Sequence, residues 1–270
     1  MQYKNIEIEI SGQTGNILLN RPRVKNALNR ELIEELISAI EYFNHHASLR
    51  FLTIEGSGEM FCSGADLKWM ANATSLSSKE NYKDTLLFAT CLNRIFSTDK
   101  ITIARVHSGA YGGGAGLVAA CDFTFAVTGS VFSFSEVTLG LIPAIIAPYV
   151  IRKIGVSKSK ELMLTGRKIN EQEAKEYGLI NDCFSSFDSL VAHTNGFIDE
   201  LAHTAPEAQK HIKSMLNKLS DIAIDDTIIR LTSKIMAKAR LSDEAKEGIA
   251  AFLQKRLPAW LKEQQADESH

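Results

Sequence analysis

The chain has 270 residues, 45% of them hydrophobic and 23% charged, which is enough to bury a large core and too apolar to stay disordered. Its 30 basic and 32 acidic residues leave a net charge of -2, which argues against a dedicated nucleic-acid binder. Cys62, Cys91, Cys121 and Cys183 show no CxxC spacing and read as buried small hydrophobes of a reduced compartment, so no disulfide frame and no metal site are expected.

Residues 1–10 have neither signal-peptide nor transit-peptide character. The most apolar stretch, residues 139–151, is too short to span a bilayer and holds Pro143 and Pro148. A cytoplasmic protein without a membrane partner is expected. Ile6, Ile8 and Ile10 alternate with Glu7 and Glu9, the period of a half-buried strand, and a turn over residues 12–15 leads to a second strand at 16–19. Leu32, Leu36, Ile40 and Phe43 then recur at helical spacing behind Asn29, a ready N-cap.

Residues 51–55 predict a strand, 56–66 a turn-rich loop, 78–96 a helix and 101–106 another strand. A glycine-rich segment and a brief apolar helix follow, then short strands at 123–127 and 131–134. Asn170 with Glu173 makes a capping-box pattern closed by Gly178, and the chain reads as helical from Pro206 onward. Strand, strand, helix, repeated and then followed by helices, predicts an α/β core over residues 1–200 and a helical region over 201–270.

The glycines at 112–114 lie between a strand and a short helix, where unpaired N–H groups and the helix dipole favour a negatively charged oxygen. No Gly-Lys-Ser/Thr follows, which argues against a triphosphate loop. Gly114, Gly116 and Ala119, with Glu136 downstream, match a dinucleotide fingerprint, but the helix is too short for a full crossover. A simple tight turn also fits the glycines. No GxSxG elbow or HExxH motif is present, and His107 reads as a packed core residue.

Five segments in order resemble the crotonase family, the enoyl-CoA hydratase/isomerase superfamily. They are NRPRVKNAL (20–28), FCSGADLKWM (61–70), SGAYGGGAGLVAACD (108–122), Ser135-Glu136 with LGLIP (139–143), and LTGRKINEQEAKEYGLI (164–180). The segment AFLQKRLPAW (251–260) is similar to the family's end. The resemblance implies a spiral of strand–strand–helix turns with a C-terminal helical trimerisation region, assembled as a homotrimer or a dimer of trimers.

It also implies an acyl-CoA thioester substrate, no cofactor beyond the coenzyme A that the substrate carries, and no metal. Carried over by motif, the backbone N–H groups of Ala65 and Gly113 form an oxyanion hole for the thioester oxygen, and Glu136 exchanges protons. Coenzyme A would lie along Val24, Lys25, Gly64, Asp66, Leu67 and Lys68, with Phe252 and Lys255 contributing from the tail. The acyl group would be shaped by residues 69–96 and 141–149.

One position departs from the family pattern. Typical hydratases of the family carry a second glutamate two residues past the GGG loop, where this chain has Gly116. A lone carboxylate can shuttle a proton between two carbons, whereas hydration needs a held water as well, with Tyr111, Ser135 or an ordered water as helpers. The run GGGAGLVAACD followed by SEVTLGLIPAIIAPYVIRKIG is similar to the methylglutaconyl-CoA hydratase-like branch of leucine and isoprenoid degradation.

The expected activity is therefore that of an enoyl-CoA hydratase, with a double-bond isomerase using Glu136 alone as the alternative. An RNA-binding role through Lys210, Lys213, Lys218, Lys234 and Lys238 is the alternative of another class. Acids such as Asp221, Asp225 and Asp226, interleaved with those lysines, argue for an ordinary solvated helix face.

Overall fold

In the computed structural model, which describes residues 2–219 and 224–261, the alternating residues near the N-terminus form β1 (Ile6–Ser11). A two-residue turn joins it to β2 (Thr14–Leu19), so the second strand starts earlier than the predicted turn allows, because Gly15 already pairs with Ile10. Beyond Arg21, α1 (Arg30–Asn44) opens as expected on Asn29, whose side chain accepts from the Leu32 N–H at 3.0 Å. It buries Leu32, Ile33, Leu36, Ala39, Ile40 and Phe43.

There follow β3 (Phe51–Gly56), α2 (Leu67–Ala73), α3 (Ser78–Ser97), β4 (Ile101–Val106), β5 (Gly109–Tyr111), α4 (Gly113–Ala120), β6 (Phe123–Val127) and β7 (Val131–Ser133). A 3₁₀ turn (Ser135–Leu139) leads towards α5 (Ala147–Thr165), which is broken at Gly155, where φ is 72°. The series continues with β8 (Lys168–Asn170), α6 (Glu171–Glu176), β9 (Asp182–Phe184) and α7 (Phe187–Ala202). Asn170 and Glu173 close the capping box at the head of α6, as their spacing predicts.

Six strands form one sheet in the order β1-β2-β3-β4-β6-β9, antiparallel only at the β1–β2 edge. A second sheet, β5-β7-β8, holds the short strands that leave the main ladder after β4 and β6. Each parallel step needs a crossover, and α1, α3 and α4 supply successive ones, which gives the strand–strand–helix rhythm its structural meaning.

The chain falls into two compact units, Met1–Asn195 and Gly196–His270, the division lying inside α7. The second unit contains α8 (Pro206–Leu219), α9 (Asp226–Arg240) and α10 (Asp243–Leu253). Glu244 on α10 accepts from the Glu207 and Ala208 N–H groups at 2.9 and 2.8 Å, so one carboxylate caps the positive end of α8. Ile212, Leu216, Ile229, Leu231, Met236 and Leu241 are exposed.

Within this unit Lys210 pairs with Glu207 at 2.7 Å and Lys213 is buried, so the lysines of the tail do not form one solvent-facing stripe. Asp221 lies outside the described residues. Among those residues no helix is long and apolar enough to cross a membrane.

Asn26 fixes the loop after β2. Fully buried and left-handed (φ 54°), its side-chain amide donates to the Ser57 and Met60 carbonyls at 2.8 and 2.7 Å, and its oxygen accepts from the Arg21 N–H at 2.9 Å. Asn tolerates this backbone region better than most residues. Asn26→Ala is expected to cost about 2 kcal/mol by leaving three half-buried backbone groups without their partner, read as a lowered denaturant midpoint at constant slope.

Candidate active site

Three chain segments leave the protein side by side. Cys62 bridges Ala110 in parallel, and β5 pairs in parallel with β7, with Tyr111 opposite Ser133. Residues just past 62, 111 and 133 therefore emerge at one edge, which is where ligands collect at the carboxyl ends of parallel strands. Those residues are Ala65, Gly113 and Glu136. The predicted trio is brought together by register.

The Ala65 N–H is left unspent by the local pairing. Leu28 donates to the Gly64 carbonyl at 2.7 Å and accepts from the Asp66 N–H at 2.8 Å, so the groups on either side of Ala65 are used. Successive peptide groups of an extended chain point in opposite directions, which turns the Ala65 N–H away from Leu28. Gly113 opens α4, and the first N–H groups of a helix have no intrahelical acceptor. Neither N–H donates to a protein acceptor among the described residues.

Glycines allow the two loops to approach. A Cβ on Gly64 (φ 96°) would lie 2.9 Å from the Tyr111 carbonyl oxygen, and one on Gly114 would lie 2.7 Å from that of Cys62. Both contacts are closer than side-chain carbons come. The backbone donors thus sit on a packed double loop.

Glu136 stands in the 3₁₀ turn after β7 with its carboxylate against this loop: a Cβ on Gly112 would be 3.3 Å from Oε1. Its Oε2 is buried and has no hydrogen-bond partner among the described residues. Burial pushes the Glu136 carboxyl above its ordinary value of 4.5, only partly countered by a hydrogen bond from its own backbone N–H. The turn is fixed from behind by Gly166, which packs on Val137 and Thr138 and accepts from the Ser133 hydroxyl at 3.1 Å. A half-desolvated carboxylate with a free oxygen next to two unspent N–H groups can move a proton beside a stabilised oxyanion.

The vacancy at Gly116 is filled. Gly116 lies in α4, its N–H bonded to the carbonyl of Gly112, the cap residue that faces the Glu136 carboxylate. That space belongs to Ile146: a Cβ at Gly116 would overlap Ile146 Cγ2 and lie 3.1 Å from its Cβ, with Leu92 Cδ1 at 3.5 Å. The wall at position 116 is apolar, and α4 carries no carboxylate.

The other predicted contacts scatter more widely. Val24 and Leu67 are exposed, and Lys25, left-handed at φ 52°, lies 3.9 Å from Glu59. Lys68 lines an open cleft of about 460 Å³ with Arg21, Arg30, Asp66, Trp69 and Asn72. Asp66 is occupied by protein groups. It caps α2 through the Lys68 and Trp69 N–H groups and pairs with Arg21 at 3.0 Å. Burial raises its carboxyl, but Arg21 and the two N–H groups outweigh that and hold it below the usual range.

Phe252, exposed on α10, and Lys255, in the turn after it, belong to the second unit. His107 is packed as expected. Its Nε2 donates to the Gly58 carbonyl at 3.0 Å, its ring stands edge-on to Phe187, and burial lowers its pKa. Asp84 was not legible as part of this region, although an acid in register with the buried stripe Phe88, Cys91, Leu92 and Ile95 of α3 is the signal that marks it.

Comparison with known proteins shows the family. The family model described as enoyl-CoA hydratase/isomerase matches residues 9–264. A 2,3-dehydroadipyl-CoA hydratase of Escherichia coli is 31% identical over 255 residues, covering 93% of this chain and 97% of the relative. An enoyl-CoA hydratase of Alternaria alternata is 33% identical, covering 90% and 80%. The crystal structure of an enoyl-CoA hydratase from Shewanella pealeana superposes with a TM-score of 0.92 at 33% identity, covering 96% and 97%. With its α/β spiral, its paired backbone donors and its carboxylate, the chain belongs to the enoyl-CoA hydratase/isomerase family, the crotonase-fold enzymes.

Proposed function

We propose that this enzyme hydrates an α,β-unsaturated acyl-CoA through a thioester enolate, with Glu136 as its only proton carrier. The observation that carries this reading is the buried, unpartnered Oε2 of Glu136 at the same edge as the unspent N–H groups of Ala65 and Gly113. In the forward step the Glu136 carboxylate takes a proton from water while the water oxygen bonds to the β-carbon. The electron pair of the double bond moves onto the thioester oxygen, held by the two N–H groups. Collapse of the enolate then draws the proton from Glu136 to the α-carbon, and the carboxylate is restored. A single backbone donor of this kind is worth about 3 kcal/mol of barrier.

Coenzyme A would run along Val24, Lys25 and the segment from Gly64 to Lys68. In that arrangement Asp66 acts by orienting its loop, since its carboxylate is taken up by Arg21 and α2. The apolar surfaces of α8 and α9 suit a homotrimer or a dimer of trimers, with residues 1–200 as the acyl-CoA core and 201–270 as the assembling region. A cytoplasmic setting belongs to the same reading.

A second reading, a double-bond isomerase in which Glu136 moves one proton between the α- and γ-carbons, is favoured by Ile146 at Gly116, which leaves water without a second carboxylate. Turnover of crotonyl-CoA, methylglutaconyl-CoA and a 3-enoyl-CoA separates the two. No reaction with the first two and clear isomerisation of the third would sink the hydratase reading.

Both readings need Glu136 ionised at the start, so kcat/KM should rise with pH through the carboxyl's raised value. The acid limb is expected above 4.5, and a limb at or below that value would remove Glu136 from the titrating step.

A further inference from the structure

The helix that follows the Ala65 loop is anchored by a set of polar tethers and by the partly buried Trp69 ring, which packs against the core. α2 has seven residues and buries none of them, and Leu67 on its first turn is 76% exposed. A helix this short is marginal by itself, so its anchors must fix its position. At its head, Asp66 caps it and pairs with Arg21, whose guanidinium also donates to the Ala27 carbonyl. On its first turn, the Trp69 indole Nε1 donates to Asp84 Oδ2 at 2.7 Å. Asp84 lies on α3, is 7% exposed, and receives Arg30 from α1 on its other oxygen, also at 2.7 Å.

We propose that Asp84 is a positioning residue for the reaction: through Trp69 it clamps α2 and so aims the Ala65 N–H at the thioester oxygen. Four elements of structure meet in this device: α1 through Arg30, α3 through Asp84, α2 through Trp69, and the loop carrying Ala65 through Asp66. Charge-assisted hydrogen bonds to a buried carboxylate are short and directional, which suits a task of aim. The Arg30 pairing keeps that carboxylate from being buried unpaired, and the indole donor uses its second oxygen. Asp66 sits next to Ala65, so a tilt of α2 about its cap is transmitted directly to the donor. Misplacement of a catalytic dipole by a fraction of an ångström is costly because the oxyanion forms only in the transition state.

The proposal rests on the oxyanion reading, and the test separates the two. Butyryl-CoA carrying a ¹³C-labelled thioester carbonyl has no double bond to hydrate, so its carbonyl stretching frequency reports the donors directly. With the parent protein, binding should lower that frequency. Trp69→Phe and Asp84→Leu should each lose at least half of that lowering. Their kcat should fall by about 10-fold to 100-fold with KM nearly unchanged, since what is lost is alignment. Asp84→Asn, which keeps an oxygen for the indole, should restore most of the lowering.

A purely structural role would reduce thermal stability and leave the frequency of the folded fraction as in the parent. That outcome overturns the proposal, and Trp69→Phe, the milder change, decides it if Asp84→Leu does not fold. Absence of any lowering in the parent would overturn the oxyanion reading and the clamp with it.

Discussion

Glu136→Gln is expected to bind acyl-CoA as the parent does while losing turnover by at least about 100-fold. The amide keeps the shape of the carboxylate in its turn against Gly112, so the loops that bear Ala65 and Gly113 need not move. It cannot take a proton from water or return one to carbon. Isothermal binding of a saturated acyl-CoA and steady-state turnover of an enoyl-CoA measure the two separately, and lost binding with preserved chemistry would contradict the assignment.

Stability should move the other way. Burial raises the folded-state value of Glu136 above 4.5, so the folded protein holds this proton more tightly than the unfolded chain. The group's contribution to stability is therefore fully present below 4.5 and is lost as pH rises through the raised value. Glutamine does not titrate. The variant should gain on the parent in denaturant midpoint as pH rises from acid to neutral, the usual exchange of function against stability at a desolvated site.

Legibility in the sequence followed the range of the interactions. The alternation of Ile6, Ile8 and Ile10, the Asn29 cap and the Asn170–Glu173 box are local, and each formed where its pattern placed it. α2 is seven residues long, buries none of them fully and is tethered by Asp84 and Arg21, so periodicity could not announce it. β5 and β8 have three residues each and exist because β7 lies between them, and α5 starts with Pro148 in its first turn and is broken at the left-handed Gly155. The site divides in the same way. Motif resemblance named Ala65, Gly113 and Glu136, but their convergence comes from the parallel register of three chain segments. Gly116 was readable as a missing carboxylate, whereas the side chain that fills its place is distant in sequence and came only with the fold.

That filling makes the vacancy a built feature with a measurable cost of reversal. Gly116→Glu should not restore a second catalytic carboxylate; it should destabilise the protein by about 3 kcal/mol or more, because its Cβ overlaps Ile146 Cγ2 and its charge enters a fully buried stretch of α4. Gly116→Ala carries the steric part alone and should cost about 1–3 kcal/mol. Pairing Gly116→Glu with Ile146→Ala opens the space that the new side chain needs, so the double variant should recover a coupling of about 1–3 kcal/mol over the sum of the singles.

The chemistry of that double variant is the sharper measurement. If water addition in the parent is limited by the absence of a second group to hold the nucleophile, hydration of crotonyl-CoA should rise relative to isomerisation of a 3-enoyl-CoA. If hydration is unchanged or falls while the variant is folded, Glu136 with its apolar wall is already the complete device. A Gly116→Glu single variant that folds with parental stability would show that Ile146 yields readily, and the apolar wall would then lose its standing as the reason this enzyme works with one carboxylate.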